Sequence, residues 1–220
     1  MAHHLSRRGF VVGLPFVLAA CQSQRQAAVQ AGLTRRADGT PDYALAYAPI
    51  RDGGFSLPAI QYQNFDPKYL RQTVYYPTRH APGTIIVDPK RKFLYLIQSG
   101  GRAVRYGIGV GRAGFAWSGE AEIRFKREWP KWFPPDEMIA REPRLEKYRD
   151  GQEGGPGNPI GARGLYLWQG NKDTLYRIHS TNQPQSIGTN ASSGCIRMWH
   201  QDVIDLYDRV ELGAKVVVLG

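Results

Sequence analysis

From Gly83 onward the chain is cut into short apolar runs separated by turn residues, and that punctuation restricts it to a β-rich fold. The first runs are Thr84-Ile85-Ile86-Val87-Asp88, Lys92-Phe93-Leu94-Tyr95-Leu96-Ile97 and Ala103 through Val110, divided by Asp88-Pro89-Lys90 and Ser99-Gly100-Gly101. β-Branched and aromatic side chains suit a half-buried pleated surface, and Gly, Pro, Asp and Ser supply the dihedrals of tight connections. Leu165 to Trp168 and Leu175 to Ile178 predict further strands. After Met198 the apolar positions Val203, Ile204, Leu206, Tyr207 and Val210 follow helical spacing, Gly213 offers a stop, and Lys215 to Leu219 predicts a closing strand. The expected fold class is mainly β (α+β).

Residues 129–160 interrupt this pattern with Trp129-Pro130-Lys131-Trp132-Phe133-Pro134-Pro135, a short helix predicted within Asp136 to Arg149, and Gly154-Gly155-Pro156-Gly157-Asn158-Pro159. A long insertion between strands serves either as a lid or groove wall, or as a hydrophobic brace for the sheet, and composition leaves both open. Trp129, Trp132, Tyr166 and Trp168 carry the same ambiguity between groove and core.

The N-terminus carries a different signal. Ser6-Arg7-Arg8-Gly9-Phe10 precedes the apolar run Val11 to Ala20, as in a twin-arginine export signal, and the run is too short to span a bilayer. Leu18-Ala19-Ala20-Cys21 resembles a bacterial lipobox, which would make Cys21 the lipidated residue. The expected layout is a signal peptide over 1–20, a flexible polar tether over 21–41, an N-terminal arm rich in Tyr, Pro and Phe over 42–82, and a β-rich main domain over 83–220. The implied location is outside the cytoplasm, in the periplasm, anchored to a membrane through Cys21. Lys and Arg number 29 against 19 Asp and Glu, a net charge of +10 that favours an anionic partner. Export and the lack of a basic helix argue against nucleic acid.

The chain has two cysteines, Cys21 and Cys195. If Cys21 carries lipid, Cys195 is a lone thiol in an oxidising compartment and needs a reason to be there. Around it lie Tyr176-Arg177-Ile178-His179-Ser180-Thr181 and Ser192-Ser193-Gly194-Cys195-Ile196-Arg197-Met198. A nucleophilic Cys needs a base or an electropositive site within reach, and the start of a helix helps. His179 ends a predicted strand, Arg197 adds charge, and Cys195 shortly precedes the predicted helix. Gly194 and Cys195 N–H groups are candidates to receive an oxyanion. A buried structural Cys and a metal ligand are the alternatives, although His179, Cys195 and His200 have no standard ligand spacing. Gly109-Val110-Gly111-Arg112-Ala113-Gly114 matches G-x-G-x-x-G, but no helix is predicted to open within it, so it reads as a glycine-rich strand end or turn.

At His179 and Ser192 to Met198 the sequence resembles the L,D-transpeptidase catalytic domain (YkuD-like) family, whose signature every place of the heptad satisfies. The likeness extends from about Gly83 to Gly220 and includes Gly154 to Arg163. It departs at Ser180, where the family often has Gly, and at Ala116-Trp117-Ser118-Gly119, which lacks the family's Pro. The resemblance implies a β-sandwich-like domain with a helix after the Cys motif and no metal or organic cofactor. It also implies acyl transfer on peptidoglycan stem peptides, with Cys195 as nucleophile, His179 as proton donor and acceptor, Ser180 orienting the imidazole through its carbonyl, and Gly194 in the oxyanion site. Arg197 and Ser193 are the expected substrate contacts, Arg197 having a loop-fixing salt bridge as its other reading. The acyl acceptor, whether a stem amine, a protein lysine, a free D-amino acid or water, separates cross-linker and anchoring enzyme from exchanger, carboxypeptidase and endopeptidase. A non-catalytic, lipid-anchored peptidoglycan-binding protein is the alternative from another class.

Overall fold

A computed structural model describes residues 35–36, 39–112, 117–192 and 194–220. The expected signal, Cys21, most of the tether and Ser193 lie outside the described residues.

The described chain opens with a helical turn, α1 (Tyr43–Ala46), and a small antiparallel hairpin of β1 (Ile50–Asp52) and β2 (Phe55–Leu57). Next come β3 (Gln72–Tyr75), β4 (Ile85–Asp88), β5 (Phe93–Gln98), β6 (Arg102–Gly107), β7 (Val110–Gly111) and β8 (Gly119–Glu128). Helix α2 (Asp136–Arg141) interrupts the strands, followed by β9 (Arg163–Gln169), β10 (Lys172–Ser180), β11 (Asn190–Ser192) and β12 (Ile196–Met198). Helix α3 (His200–Arg209) and β13 (Lys215–Val218) close the chain. The helix predicted within Asp136 to Arg149 is only α2, because Pro143 disfavours helical geometry at Glu142; a 3-10 segment over Pro143–Tyr148 follows.

Among the described residues nine strands form one mixed sheet in the order β12-β10-β9-β8-β13-β4-β5-β6-β3. Only β10 with β12 and β13 with β4 run parallel within it. The sheet curls: Gly109, just beyond β6, exchanges backbone hydrogen bonds with Arg197 of the edge strand β12 at 2.9 and 2.8 Å. This gives the sandwich-like character with one continuous sheet. Its inner face gathers Ile85, Val87, Leu94, Leu96, Leu165 and Ile178 around Val203 and Leu206 of α3 in a single core. The alternate residues Ile86, Phe93, Tyr95 and Ile97 face the other way, toward Tyr69 and Tyr76, as a two-residue side-chain period requires. The hairpin between β5 and β6 turns through Gly100 and Gly101, both left-handed at φ 70° and 66°.

Residues 42–82 are tied into this body. β3 adds an edge strand by pairing with β6. Tyr47, Phe65 and Leu70 pack with Trp199 at the start of α3, the Tyr47 and Trp199 rings meeting edge to face at 5.4 Å. Arg71 is buried beside Asp202 and Asp205 of α3, with Nη1 2.8 Å from Asp205. Gln201 of α3 donates to the carbonyls of Ala48 and Pro58.

Candidate active site

The parallel register of β10 and β12 places His179 opposite Arg197 and Ile178 opposite Ile196. Ile178, Ile196 and Met198 point into the core, so His179 and Arg197 share the opposite face, and Cys195, one residue before β12, continues it. A strand spacing of about 4.8 Å and a rise of about 3.3 Å per residue separate the Cα atoms of His179 and Cys195 by roughly 8 Å. That brings the two side chains into one neighbourhood.

His179 is 7% exposed, and its Nδ1 donates to the Ser180 carbonyl at 2.5 Å. With Nδ1 carrying the proton, the lone pair of the neutral ring is on Nε2. Burial drives the imidazole pKa down to about 4; the Ser180 carbonyl opposes this and Arg197 adds to it. The Ser180 hydroxyl accepts from Ala162 N–H at 2.7 Å and donates to the Ile160 carbonyl at 2.9 Å. It thereby fastens the segment before β9 to the His-bearing strand.

Cys195 is half-buried and its thiol is free. Its Sγ faces the Leu175 carbonyl at 3.9 Å, and among the described residues no hydrogen bond joins it to the His179 ring. Burial raises the thiol pKa and outweighs the opposing backbone N–H of Arg177 and the charges of Arg177 and Arg197. Thiol and imidazole are therefore both neutral at rest. Helix α3 begins at His200, shortly after the cysteine as expected, and β12, paired with β10, occupies the residues between them.

The loop around Cys195 is organised by Ser192, whose Oγ donates to the Cys195 carbonyl at 2.6 Å and accepts from Gly194 N–H at 3.2 Å. The Gly194 amide, expected as an oxyanion donor, is thus turned to Ser192. Arg197 donates to Gln183 Oε1 at 3.0 Å. Among the described residues no carboxylate pairs with it, so the expected salt bridge is absent there. A cleft of about 300 Å³ opens beside Gly194 and Ile196, lined by Trp117, Tyr176, Arg112 and Lys90. Trp129, Trp132, Tyr166 and Trp168 do not line it. The glycine-rich Gly109 to Gly111 stretch enters β7, paired with β11, and a Cβ at Gly109 would sit 2.5 Å from the Ser186 carbonyl. It is a strand-forming turn, as its sequence context suggested.

The family model of the L,D-transpeptidase catalytic domain (YkuD) matches residues 82–218. The chain belongs to the L,D-transpeptidase catalytic-domain family. "Probable L,D-transpeptidase YbiS" of Escherichia coli K12 is 28% identical over 156 residues, 66% of this chain and 47% of that protein. "Probable L,D-transpeptidase ErfK/SrfK" of the same organism is 31% identical over 141 residues, 61% of this chain and 43% of that protein. The chain spans less than half the length of these two relatives. A Brucella melitensis crystal structure titled a probable carnitine operon oxidoreductase is 52% identical, covering 72% of this chain and 99% of its own, with a TM-score of 0.50.

Set against the L,D-transpeptidase match, two groups of site residues escaped the sequence reading. Ser192 sits in the heptad, yet its loop-closing role shows only in its two hydrogen bonds. Asp173 and Arg177 form a two-pronged pair at 2.7 Å across a bulge in β10 whose central residue, Leu175, is left-handed at φ 63° and 76% exposed. The i,i+4 spacing of Asp173 and Arg177 was the available signal, but in a strand that spacing predicts no contact unless a bulge intervenes.

Proposed function

We propose that the protein is a peptidoglycan L,D-transpeptidase that passes a stem-peptide acyl group through a Cys195 thioester to an amine. Cys195 Sγ attacks the carbonyl carbon of a bond between an L-centre and a D-residue while His179 Nε2 takes the thiol proton. The C–N bond then breaks, and His179 returns that proton to the departing D-amino acid. In the second half an acceptor amine attacks the thioester, loses a proton to His179, and the C–S bond breaks to regenerate the thiol. The neutral imidazole is free to take the thiol proton, while burial, which raises the thiol pKa and lowers that of the ring, makes the transfer uphill in the resting site. The observation that carries the reading is the Nδ1 to Ser180 carbonyl bond, which leaves Nε2 basic on the face shared with Cys195.

In the resting loop Gly194 N–H is engaged by Ser192, so Cys195 N–H is the main oxyanion donor and Gly194 joins only if that bond yields. Arg197, with no carboxylate partner among the described residues, binds a substrate carboxylate; Ser193 is assigned a substrate contact on its place in the heptad. The oxidoreductase title of the Brucella protein has no counterpart in the G-x-G stretch, which is strand rather than a strand-to-helix turn. Export and lipid anchoring through Cys21 rest on Arg7-Arg8 and the lipobox-like Leu18 to Cys21.

The test is incubation of purified protein with tetrapeptide muropeptides, followed by mass analysis of the products. Cross-linked dimers or D-amino-acid exchange, lost in Cys195→Ala, support a transpeptidase. Released tripeptide alone would replace it with a carboxypeptidase, and binding without products would leave only a wall-binding protein.

A further inference from the structure

We propose that Asp52, in the arm outside the matched family region, is a positioning residue for His179. Asp52 ends β1 and grips Arg163 with both carboxylate oxygens, Oδ2 to Nη1 and Oδ1 to Nη2, each at 2.7 Å. Oδ2 also accepts the Trp129 indole N–H at 2.7 Å. Burial acts to raise the Asp52 pKa, but the hydrogen bonds from Arg163 and Trp129 outweigh it and keep the carboxyl ionised.

These contacts pin the two ends of the insertion together. Trp129 follows β8, and its backbone N–H donates to the Ala162 carbonyl, which also accepts from Arg163 Nη1. From Ala162 the frame passes to the histidine through one residue, Ser180. Ala162 N–H and the Ile160 carbonyl hold the two sides of the Ser180 hydroxyl, and the Ser180 carbonyl holds Nδ1 of His179. Gly164, next to Arg163, lies opposite His179 in the register of β9 and β10. The backbone of Pro159 and Ile160 also bears on the imidazole.

The fit is tight. A Cβ at Gly161 would meet Ser180 Oγ at 2.5 Å and the His200 ring at 2.7 Å. A segment with so little slack transmits a displacement at Arg163 to the His179 ring. Asp52 and Arg163 are 111 residues apart in sequence, so the arm supplies a support for the site that the matched domain, residues 82–218, does not contain.

The proposal rests on His179 as the proton-transfer group, but its test has a readout independent of turnover. The charged and titratable groups bearing on the His179 region are Arg197 of β12, Cys195, Arg177 of β10 and, behind Ser180, His200 of α3. In the full chain, Asp52→Asn removes a negative charge, which by itself lowers a nearby imidazole pKa. A loosened frame that admits water instead raises it toward the ordinary value of about 6.5. NMR titration of the His179 ring, assigned by comparison with His179→Gln, separates the two signs. We expect the His179 pKa to rise in Asp52→Asn, kcat to fall about tenfold to a hundredfold, KM to stay within about twofold, and Asp52→Glu to restore part of the loss. Should Asp52→Asn not fold, Arg163→Lys, which keeps the charge but loses the fork, is read in the same way. An unchanged or lowered His179 pKa in a folded variant overturns the proposal, as does an undiminished kcat. If no turnover is found in the wild type, the functional reading fails while the titration still decides this one.

Discussion

Ser180 acts at both ends of one residue: its carbonyl fixes the His179 tautomer and its hydroxyl ties in Ala162 and Ile160. Behind it lies His200, 8% exposed, with Nδ1 lacking a hydrogen-bond partner and a pKa that burial lowers to about 4. A base buried in its neutral form has a definite linkage sign. Between about pH 4 and the unfolded value of about 6.5 the unfolded chain holds the extra proton at this residue, so its contribution to stability rises with pH in that window and is flat above it. His200→Gln should remove up to about 1.4 kcal/mol per pH unit of that slope, read from urea unfolding at several pH values. Parallel curves for wild type and variant would contradict the assignment. His179 and the heptad's Cys195 were legible in sequence because residue type and spacing are local signals. The burial that neutralises Cys195 and His179 was not, since it depends on what the fold lays over them.

At the level of elements, the bulge in β10 shows how backbone shape serves the site. Asp173 accepts the Leu175 N–H at 2.8 Å and pairs with Arg177, which in turn lies over the Tyr166 ring at 4.4 Å. The bulge directs the Leu175 carbonyl at Cys195 Sγ. A left-handed leucine costs about 1–2 kcal/mol, and glycine gives back about 0.5–1 kcal/mol in chain entropy, so Leu175→Gly should raise the unfolding free energy by up to about 1 kcal/mol. A decrease on urea denaturation would show that the exposed leucine makes stabilising contacts. Strands β4 and β13 could be read from their β-branched runs, β5 and β9 from their leucine and aromatic runs, and α3 from its period, because each pattern meets one continuous core. The bulge could not, since neither Leu nor its neighbours mark a left-handed residue. Pro143 was a visible stop that should have shortened α2.

Across the whole molecule, the arm is joined to the body by charge as well as by aromatic packing. Arg71 lies between Asp202 and Asp205, with Tyr47 donating to Asp202, and Tyr106 and Arg209 donating to Asp205. Asp205 keeps Arg209 when Arg71 is removed, but Asp202 is left without a cation, and stranding a buried partner in this way costs up to about 3–5 kcal/mol. Arg71→Met should therefore lower the unfolding free energy by about that amount in chemical denaturation; a change below about 1 kcal/mol would mean that the aromatic cluster around Trp199 seats the arm alone. None of these long-range pairings, nor the closure of the sheet through Gly109 and Arg197, was legible in sequence. Apart from the i,i+4 pair of Asp205 and Arg209, each joins residues more than 80 apart whose local patterns are ordinary.

The central claim is that Cys195 is an acyl-accepting nucleophile, and intact-mass spectrometry after exposure to a carbapenem tests it most directly. By family resemblance such a β-lactam mimics the acyl donor, and its ring opens without a leaving group, so the protein gains the whole inhibitor mass. We expect that gain in the wild type, mapped to the peptide carrying Cys195, and none in Cys195→Ala. A wild-type protein that stays unmodified while the same thiol reacts with iodoacetamide would contradict it.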